Sequence, residues 1–286
     1  MRRLLKLPRW VLGYDGVPYM ARSTFRWDFL STLLASVASG ALVLEFTQLF
    51  ALNTLGAPVW ISAVLVAETT TGNLFSAFFS QRLQRGRRVP FLVSARLAMA
   101  LVLAAIAMLP ASHASVWPFA GLLLIPAMAG TIFLNAQSGL WHANYPESCR
   151  GRIISRLSIC RLIAAMLSVK LIGYAMDHCA WGHHLVYAVA AAFMLASAVA
   201  IGRIRVRQER AALRHANSEP IHLLRGFLVL RKDRPFAQYM LWQMVSGISV
   251  LMASPVIVPA MKKAFDIDYS QGASSLVLTP YLVEML

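Results

Sequence analysis

Residues 182–207 read GHHLVYAVAAAFMLASAVAIGRIRVR, a run of 21 positions with no Lys, Arg, Asp or Glu that ends in three arginines within five residues. An α-helix rises 1.5 Å per residue, so such a run covers a hydrocarbon layer of about 30 Å and its basic end marks a membrane surface. The same pattern recurs along the chain. Apolar runs predict spans at about 29–52, 57–79, 90–110, 116–140, 153–176, 182–202 and 236–261. A last run starts near Ser274 and stops at Leu286, too short to cross, so it is either a re-entrant segment or, as we expect, the start of a span in a piece of a longer protein.

Basic residues sort into alternate gaps. Six precede Trp27, four lie from Arg82 to Arg88, Arg150 and Arg152 follow the fourth run, and nine lie from Arg203 to Arg234. The gaps after the first, third and fifth runs hold none. Lys and Arg concentrate on the cytoplasmic side, so the expected protein is multi-pass, with a cytoplasmic amino terminus and a bacterial inner membrane as its setting. The sorting also accounts for the net charge of +15, with no nucleic-acid partner required. Composition agrees: 58% hydrophobic residues, 14% charged residues and a mean hydropathy of +0.60 give more apolar surface than a soluble core of 286 residues buries. Trp27, Trp60, Trp117, Trp141 and Trp181 fall at expected span ends, where the ring prefers the headgroup level.

The expected fold class is all-α: a polytopic bundle of six helices, a seventh helix and a truncated eighth. Four regions follow: a cytoplasmic segment 1–28, a six-helix bundle 29–202, a basic linker 203–235, and the start of a second bundle 236–286. Two sets of three spans with opposite orientation are what an inverted repeat requires, although residue-level self-similarity is absent. In the linker Arg203, Arg207, Arg210 and Arg214 form a basic stripe. The segment beginning Ser218-Glu219-Pro220 then predicts a helix lying on the inner leaflet.

Cys149, Cys160 and Cys179 are too few and scattered for a disulfide framework. His178, Cys179, His183 and His184 offer ligand types without a zinc spacing, so no metal and no cofactor are expected. His-Glu-x-x-His, Walker and Gly-x-Ser-x-Gly patterns are missing, and the expectation is not an enzyme.

Ionisable groups inside the runs are costly, about 2.5–3.5 kcal/mol each on insertion scales, and need partners or a wet cavity. They are Glu45, Glu68, Arg96, Arg161 and Lys170. By helical rise Glu45 and Lys170 both lie about 25 Å from the cytoplasmic end, at matching depth. Glu68 at about 16 Å and Arg161 at about 12 Å predict a pair, and Arg96 at about 9 Å is expected to snorkel to the inner surface. Polar stripes at i, i+4, i+7 add Thr131, Asn135 and Ser138 in the fourth span and Tyr239, Gln243 and Ser246 in the seventh, while Gln48 shares a face with Glu45. These are the candidate pathway residues. Each set also has a structural reading, as ion pairs or interhelical hydrogen bonds.

Residues 80–88, SQRLQRGRR, resemble the signature loop G-x-L-A-D-R-x-G-R-R of the major facilitator superfamily of secondary transporters, with Gly86, Arg87 and Arg88 matching. Phe79 stands at the position of its first Gly and Leu83 at that of its Asp. Residues 145–152, YPESCRGR, are similar to the related Pro-x-x-x-Arg-Gly-Arg loop through Pro146, Arg150, Gly151 and Arg152. The resemblance implies two six-helix halves, a cavity lined by the first, fourth and seventh helices, neighbouring first and fifth helices with Glu45 and Lys170 as an expected pair, and alternating access. It implies a small solute, protons as a candidate coupling ion, the lipid bilayer and the rest of the second half as partners. A non-transporting receptor or scaffold with structural ion pairs is the alternative reading of the same charges, and the membrane subunit of an ATP-driven exporter is another.

Overall fold

The computed structural model describes residues 17–68, 70–72, 86–179, 181–206, 231–265 and 267–278. The basic stripe from Arg207, the linker helix at Ser218-Glu219-Pro220, and Phe79 and Leu83 of the signature loop lie outside them. All regular structure among the described residues is helical. The elements are α1 (Arg22–Ser39), α2 (Leu44–Asn53), α3 (61–68 and 70–72), α4 (Arg88–Ala107), α5 (Val116–Asn144), α6 (Glu147–His178), α7 (Gly182–Gly202), α8 (Arg234–Phe265) and α9 (Tyr269–Gly272), which runs on as a π-helical turn to Leu278.

Six helical stretches are long and apolar enough to cross a membrane: Tyr19–Asn53, Arg88–Ala107, His113–Asn144, Glu147–His178, Gly182–Gly202 and Arg234–Phe265. The second expected span, 57–79, is described only in its first part, which is helical from 61. Three starts move most. The first span begins at Tyr19 rather than near 29, which puts Asp28 inside it. The fifth span begins at Glu147, directly after Pro146, and the last apolar element begins at Tyr269 rather than near Ser274.

The first span is broken where a continuous helix was expected. A 3₁₀ turn at Gly40–Leu42 and an extended Val43 (φ −63°, ψ 134°) separate α1 from α2. Ser36 and Ser39 donate their hydroxyls back to the carbonyls of Thr32 and Ser36 at 2.7 and 3.0 Å, a local competition with the backbone ladder that bends helices. Gly40 sits against α6 so closely that a Cβ there would lie 2.5 Å from Ser168 Oγ and 3.2 Å from Val169. The break thus falls where the first span and α6 approach most tightly.

α7 packs on both α1 and α4, α4 also on α5, and α1 also on α6. Small residues allow this: Ala190, Ala198 and Ser197 of α7 are buried, and Ser31 and Ser197 exchange hydroxyl hydrogen bonds across the α1–α7 contact. Leu101, Met108, Trp117 and Trp181 remain exposed on the outside of the bundle, as a lipid-facing surface requires. Trp60 and Trp117 meet at one end, with ring centroids 5.5 Å apart. α8 lies mostly bare among the described residues, touching α2 near its C-terminal end.

The bundle therefore has two unlike ends. One gathers Arg22, Arg88, Asn144, Glu147 and Arg203, joined by bonds such as Asn144 Nδ2 to Arg205 O at 3.1 Å. We call it the basic end. The opposite end gathers Asn53, Trp60, Trp117, Cys179 and α9.

Candidate functional site

Two cavities run through the middle of the bundle. The first, about 240 Å³, lies toward the basic end between α1 (Thr32, Ser36, Ser39), α4 (Arg96, Met99), α5 (Phe133, Gln137, Trp141) and α6 (Ser158, Arg161). The second, about 320 Å³, is lined by Ser39, Val43 and Thr47 around the helix break, Glu68 of α3, Pro126 of α5, and Arg96 and Met194. They meet at Ser39, Arg96 and Met99. The broken backbone at Val43 and the kink-prone Pro126 both face the second cavity, where irregular helix is tolerated because it borders space rather than lipid.

Arg96 occupies the junction. It does not snorkel, contrary to the depth estimate. Its guanidinium lies over the Phe133 ring, 3.7 Å from the centroid, and Nη1 points at the sulfurs of Met194 (3.5 Å) and Met99 (3.9 Å). The Nε–H is buried without an acceptor among the described residues. Helix depth alone misleads here, because close packing of α4 on α5 and α7 directs this face of α4 inward.

Beneath the first cavity lies a carboxylate that the sequence reading passed over. Asp28 of α1 is fully buried, and its Oδ2 accepts from Trp141 Nε1 at 2.8 Å and from the Tyr145 hydroxyl at 2.9 Å. Gln137 adds a further side-chain contact and Arg96 an attractive charge. Burial, and then the negative charge of Asp28, push the Tyr145 hydroxyl above its ordinary value, so it stays a donor. Trp141 is therefore held by Asp28 and lines the cavity, a different role from the headgroup anchor expected of it. A signal existed: Asp28, Thr32, Ser36 and Ser39 form a polar stripe at helical spacing. It was obscured because Asp28 lies one residue outside the expected span.

The expected ion pairs do not form. Glu45 is half-buried in the first turn of α2, whereas Lys170 is exposed on α6, and no ion pair joins them among the described residues. The estimate of equal depth assumed a continuous helix. The 3₁₀ turn and extended Val43 change both rise and azimuth before Glu45 is reached. Glu68 and Arg161 border different cavities, with Arg96 between them. Gln48 is fully buried, and both its amide atoms lack partners among the described residues. Thr131 donates to Ala127 O at 2.9 Å, while Asn135 and Ser138 are exposed, so the α5 side chains at the first cavity are Phe133, Leu134, Gln137 and Trp141. Tyr239, Gln243 and Ser246 are exposed on α8, apart from both cavities.

The matched loop residues hold helix ends. Arg88 Nη1 donates to the Gly139 carbonyl of α5. Arg150, one turn into α6, folds back so that Nε and Nη2 donate to Tyr145 O at 3.3 and 3.1 Å, with Nη1 2.9 Å from His142 Nδ1. A cation over the last carbonyls of α5 complements the helix dipole, and Pro146 between the two helices forces the corner. Gly151, Arg152 and Arg87 are exposed and Gly86 half-buried.

At the opposite end α9 docks on α6 and α2. The backbone N–H groups of Tyr269 and Ser270 donate to the two oxygens of Asp177, at 3.1 and 2.8 Å, and the hydroxyls of Thr54 and Tyr269 share a hydrogen bond. Lys262 of α8 donates to Leu52 O at 3.1 Å. Burial pushes the Tyr269 hydroxyl up to about 12, so it is protonated at physiological pH. Gly173 permits the docking, since a Cβ there would lie 2.9 Å from Tyr269 O.

The chain has no match among curated proteins. The family model of the Major Facilitator Superfamily matches residues 28–285, from the buried Asp28 through α9 and beyond. With nearly all of its length, both cavities and the α9 contact inside that match, this multi-pass membrane chain belongs to the Major Facilitator Superfamily of secondary transporters.

Proposed function

We propose that the chain moves a small solute across the bacterial inner membrane by alternating access, with its amino terminus in the cytoplasm. Residues 1–28 lead in from the cytoplasm, 29–202 form the first bundle, 203–235 a basic cytoplasmic linker, and 236–286 belong to the second bundle. The two bundles rock about the central cavities. The difference between the two ends carries this reading. The first cavity lies toward the basic end, while at the opposite end α8 and α9 are fastened to the first six helices through Lys262, Tyr269 and Asp177. A cavity on one side and a fastened seam on the other is what an inward-facing carrier requires.

Glu68 is the proton carrier in this proposal. It borders the second cavity and has no ion-pair partner among the described residues, so gain and loss of a proton there is not opposed by a fixed cation. Glu45, Gln48, Tyr239, Gln243 and Ser246 complete the pathway once both bundles enclose it. The test is uptake of a panel of labelled solutes by the protein in proteoliposomes, with and without an inward-directed pH gradient. Gradient-stimulated uptake is expected, and Glu68→Gln should abolish the stimulation. Absence of uptake for every solute removes the transporter reading, and a Glu68→Gln protein stimulated as strongly as the parent removes the proton role.

A further inference from the structure

The charges around the first cavity are one-sided. Arg96 and Arg161 both border it, and Arg96 feels first the attraction of Asp28 below and then the repulsion of Arg161 across the space. Among the described residues no carboxylate comes within ion-pair distance of either guanidinium. The carboxylate that does lie below, Asp28, has its Oδ2 taken by the neutral donors Trp141 and Tyr145. Arg96 is the sharper case. Its Nη1 meets thioether sulfurs, weak acceptors, and its buried Nε–H meets nothing among the described residues, so a half-buried group whose five N–H bonds fit a carboxylate or phosphate faces the cavity without one. The Phe133 face fixes the guanidinium plane, and the hydroxyls of Thr32, Ser36 and Ser158 supply neutral polar groups on the cavity wall.

We infer that the first cavity receives a small anionic solute, with its carboxylate or phosphate seated between Arg96 and Arg161. This rests on the transporter reading for its biological sense, but it concerns binding and is tested as binding. The anion relieves the repulsion between the two arginines and gives the buried Nε–H its acceptor. A cavity of about 240 Å³ admits a solute of up to about sixteen heavy atoms, the range from a short dicarboxylate to a sugar phosphate.

The experiment uses the protein in lipid nanodiscs and in proteoliposomes. Binding and uptake are measured for glutarate, glucose 6-phosphate, glucose and cadaverine, with Arg96→Gln, Arg161→Gln and Arg161→Lys beside the parent. Arg161 is exposed within the described chain, so its substitutions leave folding intact even if Arg96→Gln does not. The expected result is binding of one or both anions, weakened about tenfold or more by Arg161→Gln and largely kept by Arg161→Lys. Whichever of glutarate and glucose 6-phosphate binds identifies the oxyanion. Anion binding without uptake of any solute upholds the site and removes the transporter reading. Uptake restricted to glucose or cadaverine, or anion binding unchanged in Arg161→Gln, overturns the inference and leaves transport standing. Binding of none of the four overturns it as well.

Discussion

Two neutral donors, the indole of Trp141 and the phenol of Tyr145, converge on one oxygen of Asp28, a carboxylate with no exposed surface. Removing the acceptor strands both donors in a site closed to water. A stranded buried donor costs about 1–3 kcal/mol, so Asp28→Ala should lower the thermal unfolding midpoint in detergent clearly, and Asp28→Asn, which keeps one acceptor oxygen, by less. Equal loss for the two substitutions would show that the charge and not the acceptor matters. This residue also shows what the sequence could convey. Along the chain it stands just ahead of the first expected span, beside Trp27, where a carboxylate draws no notice. What buries it is the corner from α5 into α6, where Pro146 and Arg150 bring Tyr145 back against α1. That contact joins positions more than a hundred residues apart and leaves no local trace. Arg96 was misread for the same reason: its depth was legible, its azimuth was not.

α9 is a short element, yet its amide groups are the main hold on Asp177 at the end opposite the basic loops. Two charge-assisted bonds from backbone N–H groups, backed by the close approach at Gly173, set the strength of that seam. Asp177→Asn keeps the shape and weakens both bonds, while Gly173→Leu keeps the carboxylate and blocks the approach of α9 to it. Both should favour the state in which this end is parted, by about tenfold or more for the first, given about 1.5–3 kcal/mol for hydrogen bonds to charged groups. Cysteines placed at Thr54 and Tyr269, in a background lacking the native cysteines, report it. Cross-linking by a short oxidant or reagent should be fast in the parent and slower in both variants, and unchanged rates would show that the seam does not govern the opening. Most helices were legible from apolar length alone, α4 and α7 nearly to the residue. The break between α1 and α2 was not, because Ser36, Ser39 and Gly40 read equally as small residues packing inside a straight helix. The decisive fact was the distance to Ser168 on α6, which no local pattern encodes.

At the scale of the whole molecule, a helical bundle in lipid is oriented by its flanking charge, and every other property of the proposal depends on that orientation. The structure gathers Arg22, Arg88, Arg150 and Arg203 at one end, consistent with the sorting of basic residues along the sequence. Three native cysteines make a direct probe. Cys179 is exposed at the opposite end, Cys149 is buried in the cluster with Phe25 and Tyr145 at the basic end, and Cys160 is partly buried within α6. In the proposed orientation Cys179 faces the outside of the cell. A membrane-impermeant maleimide added to intact cells should therefore label the protein, and Cys179→Ser should remove most of that signal. Cys149 should react only after denaturation, since burial withholds the thiol from reagent whichever side it faces. Labelling of Cys179 that appears only once the cells are opened would place the basic end outside, and with it would invert the inward-facing assignment of the first cavity.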